Sequence, residues 1–227
     1  IRKLDLNNAL ATTEFETNEA RYRREYFVSR DADVAVIHLD ADKSKMISVD
    51  IELERQERVE YRTEDKAIVM FGQLKDGSNG DEGMKYLSKL TVDNEGGNVD
   101  FTNNKIIVRD ADKLTLIFSS STNYKNENYL AFVDSLMNDA KSHSYKYLKK
   151  KHIESYQELF NRVELDLGEG ITDNHSIDDR LYAFQEEDDP QLAALYFHYG
   201  RYLFISSTRE NLLPPNLQGL WANTIQT

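Results

Sequence analysis

The sequence predicts an α+β chain of several parts: a set of antiparallel strands, a helical connector, and then the opening helices of an all-α region. Three observations carry this. Apolar residues recur with period two from Leu10 to about Tyr124, the spacing of strands with one buried face. After Tyr124 they recur at helical spacing. Two helix-start signals then follow, at Ser176 and at Asp189-Pro190. At 227 residues with 40% apolar content, the chain can bury a sizeable core in one large or two small domains.

The clearest strand sets Ile47, Val49, Ile51 and Leu53 against Ser48, Asp50, Glu52 and Glu54. Ala35, Ile37, Leu39 and Ala41 alternate in the same way with Val36, His38 and Asp40. Residues 20–29 are rich in Tyr, Phe and Arg, and 105–109 and 114–118 are aliphatic or β-branched, the composition of pleated, half-buried surface. Asn94-Glu95-Gly96-Gly97-Asn98 reads as a hairpin turn, and 76–83 as a polar, Gly-rich loop.

In the helical part, Tyr129, Val133, Leu136, Met137 and Ala140 form one stripe, and Tyr145, Leu148, His152, Tyr156, Leu159 and Phe160 another, with a break near Ser142-His143-Ser144. Val163, Leu165 and Leu167 alternate with Glu164, Asp166 and Gly168, which predicts one short extra strand. Ser176-Ile177-Asp178-Asp179 opens a helix by the capping rule, and Pro190 at a first helical position opens another. Leu192, Leu195, Tyr196, Tyr199 and Leu203 give this last helix a strongly apolar face that should be buried.

Composition excludes several functions. Lys and Arg total 28 against 40 Asp and Glu, a net charge of −12, with no basic stripe on which a nucleic acid could dock. The absence of cysteine excludes disulfides, thiolate metal sites and a cysteine nucleophile. His152 and His198 lie on helices without a His-Glu-x-x-His arrangement and read as structural, so no metal site is expected. Scattered glycines form neither a phosphate cradle nor a dinucleotide fingerprint, so no nucleotide cofactor is implied. No apolar run approaches the length needed to cross a bilayer, and no membrane partner is expected. Ile1-Arg2-Lys3-Leu4-Asp5 shows neither an initiator Met nor a signal-peptide pattern, so the chain reads as a piece of something longer. Glu52, Glu54 and the acids at 186–189 are expected to be solvated surface.

The most specific feature is an ordered string near the C-terminus: Tyr199-Gly200-Arg201-Tyr202-Leu203, Ser206-Ser207-Thr208-Arg209, then Leu213-Pro214-Pro215-Asn216-Leu217-Gln218-Gly219-Leu220-Trp221. It resembles the entry into the catalytic barrel of family 95 glycoside hydrolases, the inverting α-L-fucosidases and their α-L-galactosidase relatives. Earlier strings agree in the same order: Leu4-Asp5-Leu6 with Ala9, Tyr22-Arg23-Arg24-Glu25-Tyr26-Phe27-Val28-Ser29, His152-Ile153-Glu154-Ser155-Tyr156 with Phe160, and Arg180-Leu181 with Asp189-Pro190. The resemblance therefore covers nearly the whole chain. It implies an antiparallel β-sandwich over residues 1–124, a helical linker over 125–168, and the first helices of an (α/α)6 barrel over 169–227. Further strands before Ile1 and most of the barrel after Thr227 are implied too. So is a periplasmic or secreted enzyme, needing no cofactor, that takes terminal α-linked L-fucose or L-galactose from oligosaccharides and uses the remainder of its own barrel.

Inverting hydrolysis needs an acid on the leaving oxygen and a base activating water on the opposite side. In the family a glutamate is the acid, and asparagines with an aspartate activate the water; the resemblance places all of them downstream of Trp221. No catalytic residue is therefore assigned here, and the chain alone is expected to be inactive. Pro214-Pro215 must end the preceding helix, and the amide-rich loop beyond it carries one indole, a combination that suits a neutral sugar. Asn216, Gln218, Trp221 and Asn223 are thus the substrate-binding candidates, lining or bracing the pocket. Arg201 and Arg209 are expected to pair with acids, and Arg162 to anchor the linker. Tyr22, Tyr26 and Phe27 fit a sandwich core better than a sugar-stacking platform. The alternatives are a related (α/α)6 phosphorylase, with phosphate in place of water, or a carbohydrate-binding or purely structural β-module.

Overall fold

The computed structural model describes residues 1–75, 83–102, 104–168, 170, 175–186, 188–210 and 214–215. It divides into two compact units, residues 1–5 with 10–155 and residues 6–9 with 156–227. The first unit is built on strands β1 (Arg2–Asp5), β2 (Leu10–Glu16), β3 (Arg21–Val28), β4 (Ala35–Ala41), β5 (Ile47–Glu52), β6 (Glu60–Glu64), β7 (Ala67–Gln73), β8 (Lys85–Glu95), β9 (Asn98–Thr102), β10 (Lys105–Ala111) and β11 (Lys113–Thr122). Eight of them form one sheet in the order β1-β2-β3-β4-β11-β8-β7-β6, and β5-β10-β9 form a second. Every pairing is antiparallel, as period-two patterning with short turns predicts.

The two sheets close on a core of Leu39, Ile68, Leu90, Leu114 and Leu116 from the large sheet and Ile47, Ile106, Val108 and Ala111 from the small one. Ile47, Val49 and Ile51 face this core while Ser48, Asp50 and Glu52 stay exposed, so the alternation read in β5 is the alternation of its two faces. β4 departs from the predicted one-sided pattern. Ile37 and Leu39 face the small sheet, yet Val36 and His38 on its other side are also buried. The reason is a third layer, helices α1 (Tyr129–Lys141) and α2 (Tyr145–Phe160), separated at Ser142-His143-Ser144 where the break was expected. Val133, Met137, Ala140 and Leu148 pack there against Phe27, Val34, Val36, Val69, Leu87 and Ile117. Burying each large side chain contributes roughly 1.5–3 kcal/mol before entropy is counted.

One detail differs from the local reading and a second lies outside it. Gly96 and Gly97 both have positive φ, +70° and +69°, as a tight two-residue reversal requires. The turn is real but it is not a hairpin: β8 pairs with β7 and β11, while β9 pairs with β10, so the reversal carries the chain from the large sheet to the small one. A Cβ on Gly97 would sit 2.3 Å from the Arg109 carbonyl oxygen and 2.6 Å from the Ala111 nitrogen. Gly97→Ala is therefore expected to cost about 2 kcal/mol or more, read as a fall in the urea midpoint. The second detail is Lys89, which is 8% exposed yet charged. Its Nζ donates to Asp134 on α1 at 2.8 Å and to Glu64 at 3.3 Å. Burial works to lower its pKa, but the two carboxylates more than offset this and leave it raised.

The second unit contains the end of α2 from Tyr156, helix α3 (Ile177–Ala183) and helix α4 (Pro190–Ser207). Ser176 and Asp179 form the predicted capping box, and Asp189 caps α4 with Pro190 in its first turn. The strand expected over 163–168 does not form. Arg201 Nη1 donates to the Val163 carbonyl at 2.7 Å, and His198 Nε2 lies 3.2 Å from the Leu165 oxygen, so helix side chains meet backbone groups that a ladder would otherwise need. The face of α4 expected to be buried is only partly so. Leu192 is buried, whereas Tyr196 is 79% and Tyr199 41% exposed, with Phe197 and Phe204 open beside them. No helix among the described residues is long and apolar enough to cross a membrane.

Candidate functional site

Of the C-terminal string, the structure describes α4 through Glu210 and then Pro214 and Pro215. The four substrate-binding candidates, Asn216, Gln218, Trp221 and Asn223, lie outside the described residues. What the structure does show is how the elements that lead to them are braced.

In the second unit the brace is Asp189. Its carboxylate is fully buried, accepts from the Leu192 N–H at 3.1 Å as the cap of α4, and takes a two-pronged hydrogen bond from Arg180 Nε and Nη2 at 2.8 and 3.0 Å. The expectation that this acidic run is solvated is thus corrected at Asp189, although Glu186 and Asp188 are exposed. Charge alone made the four acids look alike; the cap position and the guanidinium nine residues earlier single one out. Arg201 is corrected as well. Among the described residues it meets no acid, but donates to the carbonyls of Phe160 and Val163, both at 2.7 Å, with its guanidinium over the Phe160 ring. These are backbone acceptors at and just beyond the C-terminus of α2, where helix carbonyls lack partners and a cation is favoured. Arg162 donates to the Glu158 carbonyl at 2.8 Å, holding that same end. Nearby, Tyr156 donates to the Leu6 carbonyl at 2.8 Å and Gln157 to Asn8 at 3.0 Å, which joins two of the strings noted in the sequence.

In the first unit the most developed polar cluster is one the sequence reading missed. Glu25 on β3 is 5% exposed and its carboxylate is enclosed by three groups: Arg23 Nη2 at 2.8 Å, Lys149 Nζ at 2.8 Å to both oxygens, and the Tyr145 hydroxyl. Burial would raise its pKa, but the hydrogen bonds from Lys149, Tyr145 and Arg23 outweigh this and bring it down to about 2. Tyr145 is pushed far up by burial and by the carboxylate it donates to. Beside Glu25 in register stands His38 on β4, stacked on Tyr145 with centroids 3.8 Å apart and with Nδ1 2.9 Å from the Thr115 hydroxyl. Burial pulls its pKa down against the opposing effect of Asp40 and Glu25. The available signal was an acid in the middle of an aromatic strand, directly opposite a histidine. His152 is structural, as read, stacked 4.8 Å from Phe27, itself a core residue.

Chemically, both buried carboxylates are committed. Each is engaged by several donors, and Glu25, its pKa held down at about 2, stays ionised and cannot shuttle a proton near neutral pH. Among the described residues no group of three or more His, Asp or Glu side chains could hold a metal ion.

Comparison with known proteins places this arrangement. Residues 1–127 match the glycosyl hydrolase family 65 N-terminal domain, and residues 144–227 the glycosyl hydrolase family 95 catalytic domain. The chain belongs to the glycoside hydrolases: its β domain is of the family 65 N-terminal type, and the helices after it open a family 95 catalytic domain. It is 30% identical over 261 residues to Alpha-L-fucosidase 2 of Arabidopsis thaliana, covering 99% of this chain and 31% of that protein. It is 32% identical over 246 residues to a protein of Aspergillus niger named "Probable alpha-fucosidase A", covering 98% of this chain and 30% of the relative. The chain thus spans about a third of the length of the curated relatives it matches. A solved structure titled "Putative kojibiose phosphorylase from human microbiome" shares its fold, with TM-score 0.51 and 14% identity over 70% of this chain and 24% of that one.

Proposed function

We propose that the whole protein is an exo-acting α-L-fucosidase that hydrolyses terminal α-linked L-fucose, or L-galactose, with inversion and without a cofactor. The observation that carries this reading is the similarity of 98–99% of the chain to two proteins named as α-fucosidases, together with the family 95 match over the helices. In this reading the first unit is scaffold, the second begins the barrel, and Asn216, Gln218, Trp221 and Asn223 form the pocket rim that meets a fucosylated or L-galactosylated oligosaccharide. The acid and base come from the remainder of the barrel, and the enzyme works in the periplasm or outside the cell.

The test is hydrolysis of chromogenic α-L-fucoside and α-L-galactoside by the whole protein, with NMR of the first sugar released. Turnover without added phosphate and initial release of the β-anomer are expected. A phosphate requirement would point to the phosphorylase chemistry, and initial release of the α-anomer to retention. Trp221→Ala should raise KM or lower kcat about tenfold or more, the loss of roughly 1.4 kcal/mol of sugar contact. Unchanged constants in a folded variant remove Trp221 from the site. The 227-residue chain alone should show no turnover above background.

A further inference from the structure

We propose that Glu25, His38, Tyr145 and Lys149 form an acid-sensitive clasp that holds the N-terminal half of α2 on the large sheet and loosens as His38 takes up a proton. The coupling rests on Tyr145, which does two things at once. Its ring covers the His38 imidazole at a centroid distance of 3.8 Å, and its hydroxyl donates to Glu25. The imidazole is 7% exposed, and its Nδ1 is engaged with Thr115. A protonated ring needs a second acceptor and water on its Nε2 edge. The acceptor within reach is Asp40, 3.9 Å away, which is beyond a hydrogen bond. Water reaches the ring when Tyr145 swings out, and that movement breaks its bond to Glu25. Lys149 follows, because it sits one helical turn along α2 and shares the same carboxylate.

The surrounding charges do not provide a substitute. β3 contributes Glu25 and Arg23, already paired with each other and, for Glu25, with Lys149. Glu14 on β2 is taken up by Arg23. β11 brings Lys113, which opposes an imidazolium, and β8 brings Glu95, which is paired with Lys113. β4 itself brings Asp40, 36% exposed and screened by solvent. From α2 the groups are Tyr145 and Lys149. The open form therefore binds the proton more tightly than the closed one, and opening gains as the pH falls below about 6.5, the ordinary histidine value.

Hydrogen exchange of the intact protein at pH 7 and pH 5, corrected for intrinsic rates, tests this. Amides of residues 145–152 should lose protection by up to about tenfold relative to those of α1. His38→Gln keeps a neutral hydrogen-bonding group and should abolish that loss, while Glu25→Gln should show weakened protection already at pH 7. Equal protection at both pH values, or the same loss in His38→Gln, overturns the clasp. Should His38→Gln fail to fold, the imidazole NMR titration of the unsubstituted protein decides. A midpoint below about 6.5 upholds the proposal, and one at or above it overturns it.

Discussion

Glu25→Gln is expected to lower the stability of the first unit by about 3 kcal/mol at pH 7 and to flatten its response to strong acid. The carboxyl titrates at about 2 in the folded chain against an ordinary 4.5, and each unit of difference corresponds to about 1.4 kcal/mol. Because the folded value is depressed, the stabilisation is fully present above about pH 4.5. It is lost as the pH falls through 4.5 towards 2, where the folded form also takes up its proton. Glutamine has nearly the same shape, so packing is retained while the charge that Lys149, Arg23 and Tyr145 serve is removed. Urea titrations at pH 7 and pH 3 should show the unsubstituted protein losing stability on acidification and the variant losing about 2 kcal/mol less, because at pH 3 the folded carboxyl is still largely ionised. Parallel pH profiles would show that the carboxylate is not held as the geometry indicates. This acid window lies below the weakly acidic one assigned to His38, so the two groups can be separated by pH alone.

Asp189→Ala should be comparably severe in the second unit, about 4 kcal/mol. It strands the Arg180 guanidinium, whose side chain is only 15% exposed, and at the same time removes the cap of α4. Breaking one side of a buried pair costs about 3–5 kcal/mol, and losing an N-cap adds about 1. Asp189→Asn keeps an acceptor for the Leu192 N–H and gives up only the charge, so it should lie near half that cost. If the two variants unfold at the same urea concentration, the cap contributes nothing and the ion pair carries the whole effect. Gly170 supports the same arrangement from the other side, since a Cβ there would come within 2.5 Å of Asp189 Oδ1.

Much of the fold was legible because it is governed by local rules. Strand faces follow period two in β5 and β10, the break between α1 and α2 falls on Ser142-His143-Ser144, and Ser176 and Asp189-Pro190 open helices where capping chemistry says they should. Two of the failures share one cause, a partner distant in sequence. Residues 163–168 have the alternation of a strand, but their backbone is met by His198 and Arg201 on α4. The Gly-Gly turn has hairpin chemistry, but the strands on either side of it belong to different sheets. The apolar face of α4 has the pattern of a buried stripe, yet its aromatics are largely open.

The ordered strings of residues were enough to indicate the family, because a long series of residues in fixed order is far more specific than any one side chain within it. Element order and helix starts could likewise be read from the sequence, since each depends on neighbours within a turn or a strand. Which carboxylates are buried and bound was decided only by tertiary structure. Glu25 meets Lys149, 124 positions further along the chain, and Asp189 is buried where Glu186 and Asp188 are exposed. Burial and pairing are properties of the packed surface, and no sequence periodicity encodes which distant donor a carboxylate will find.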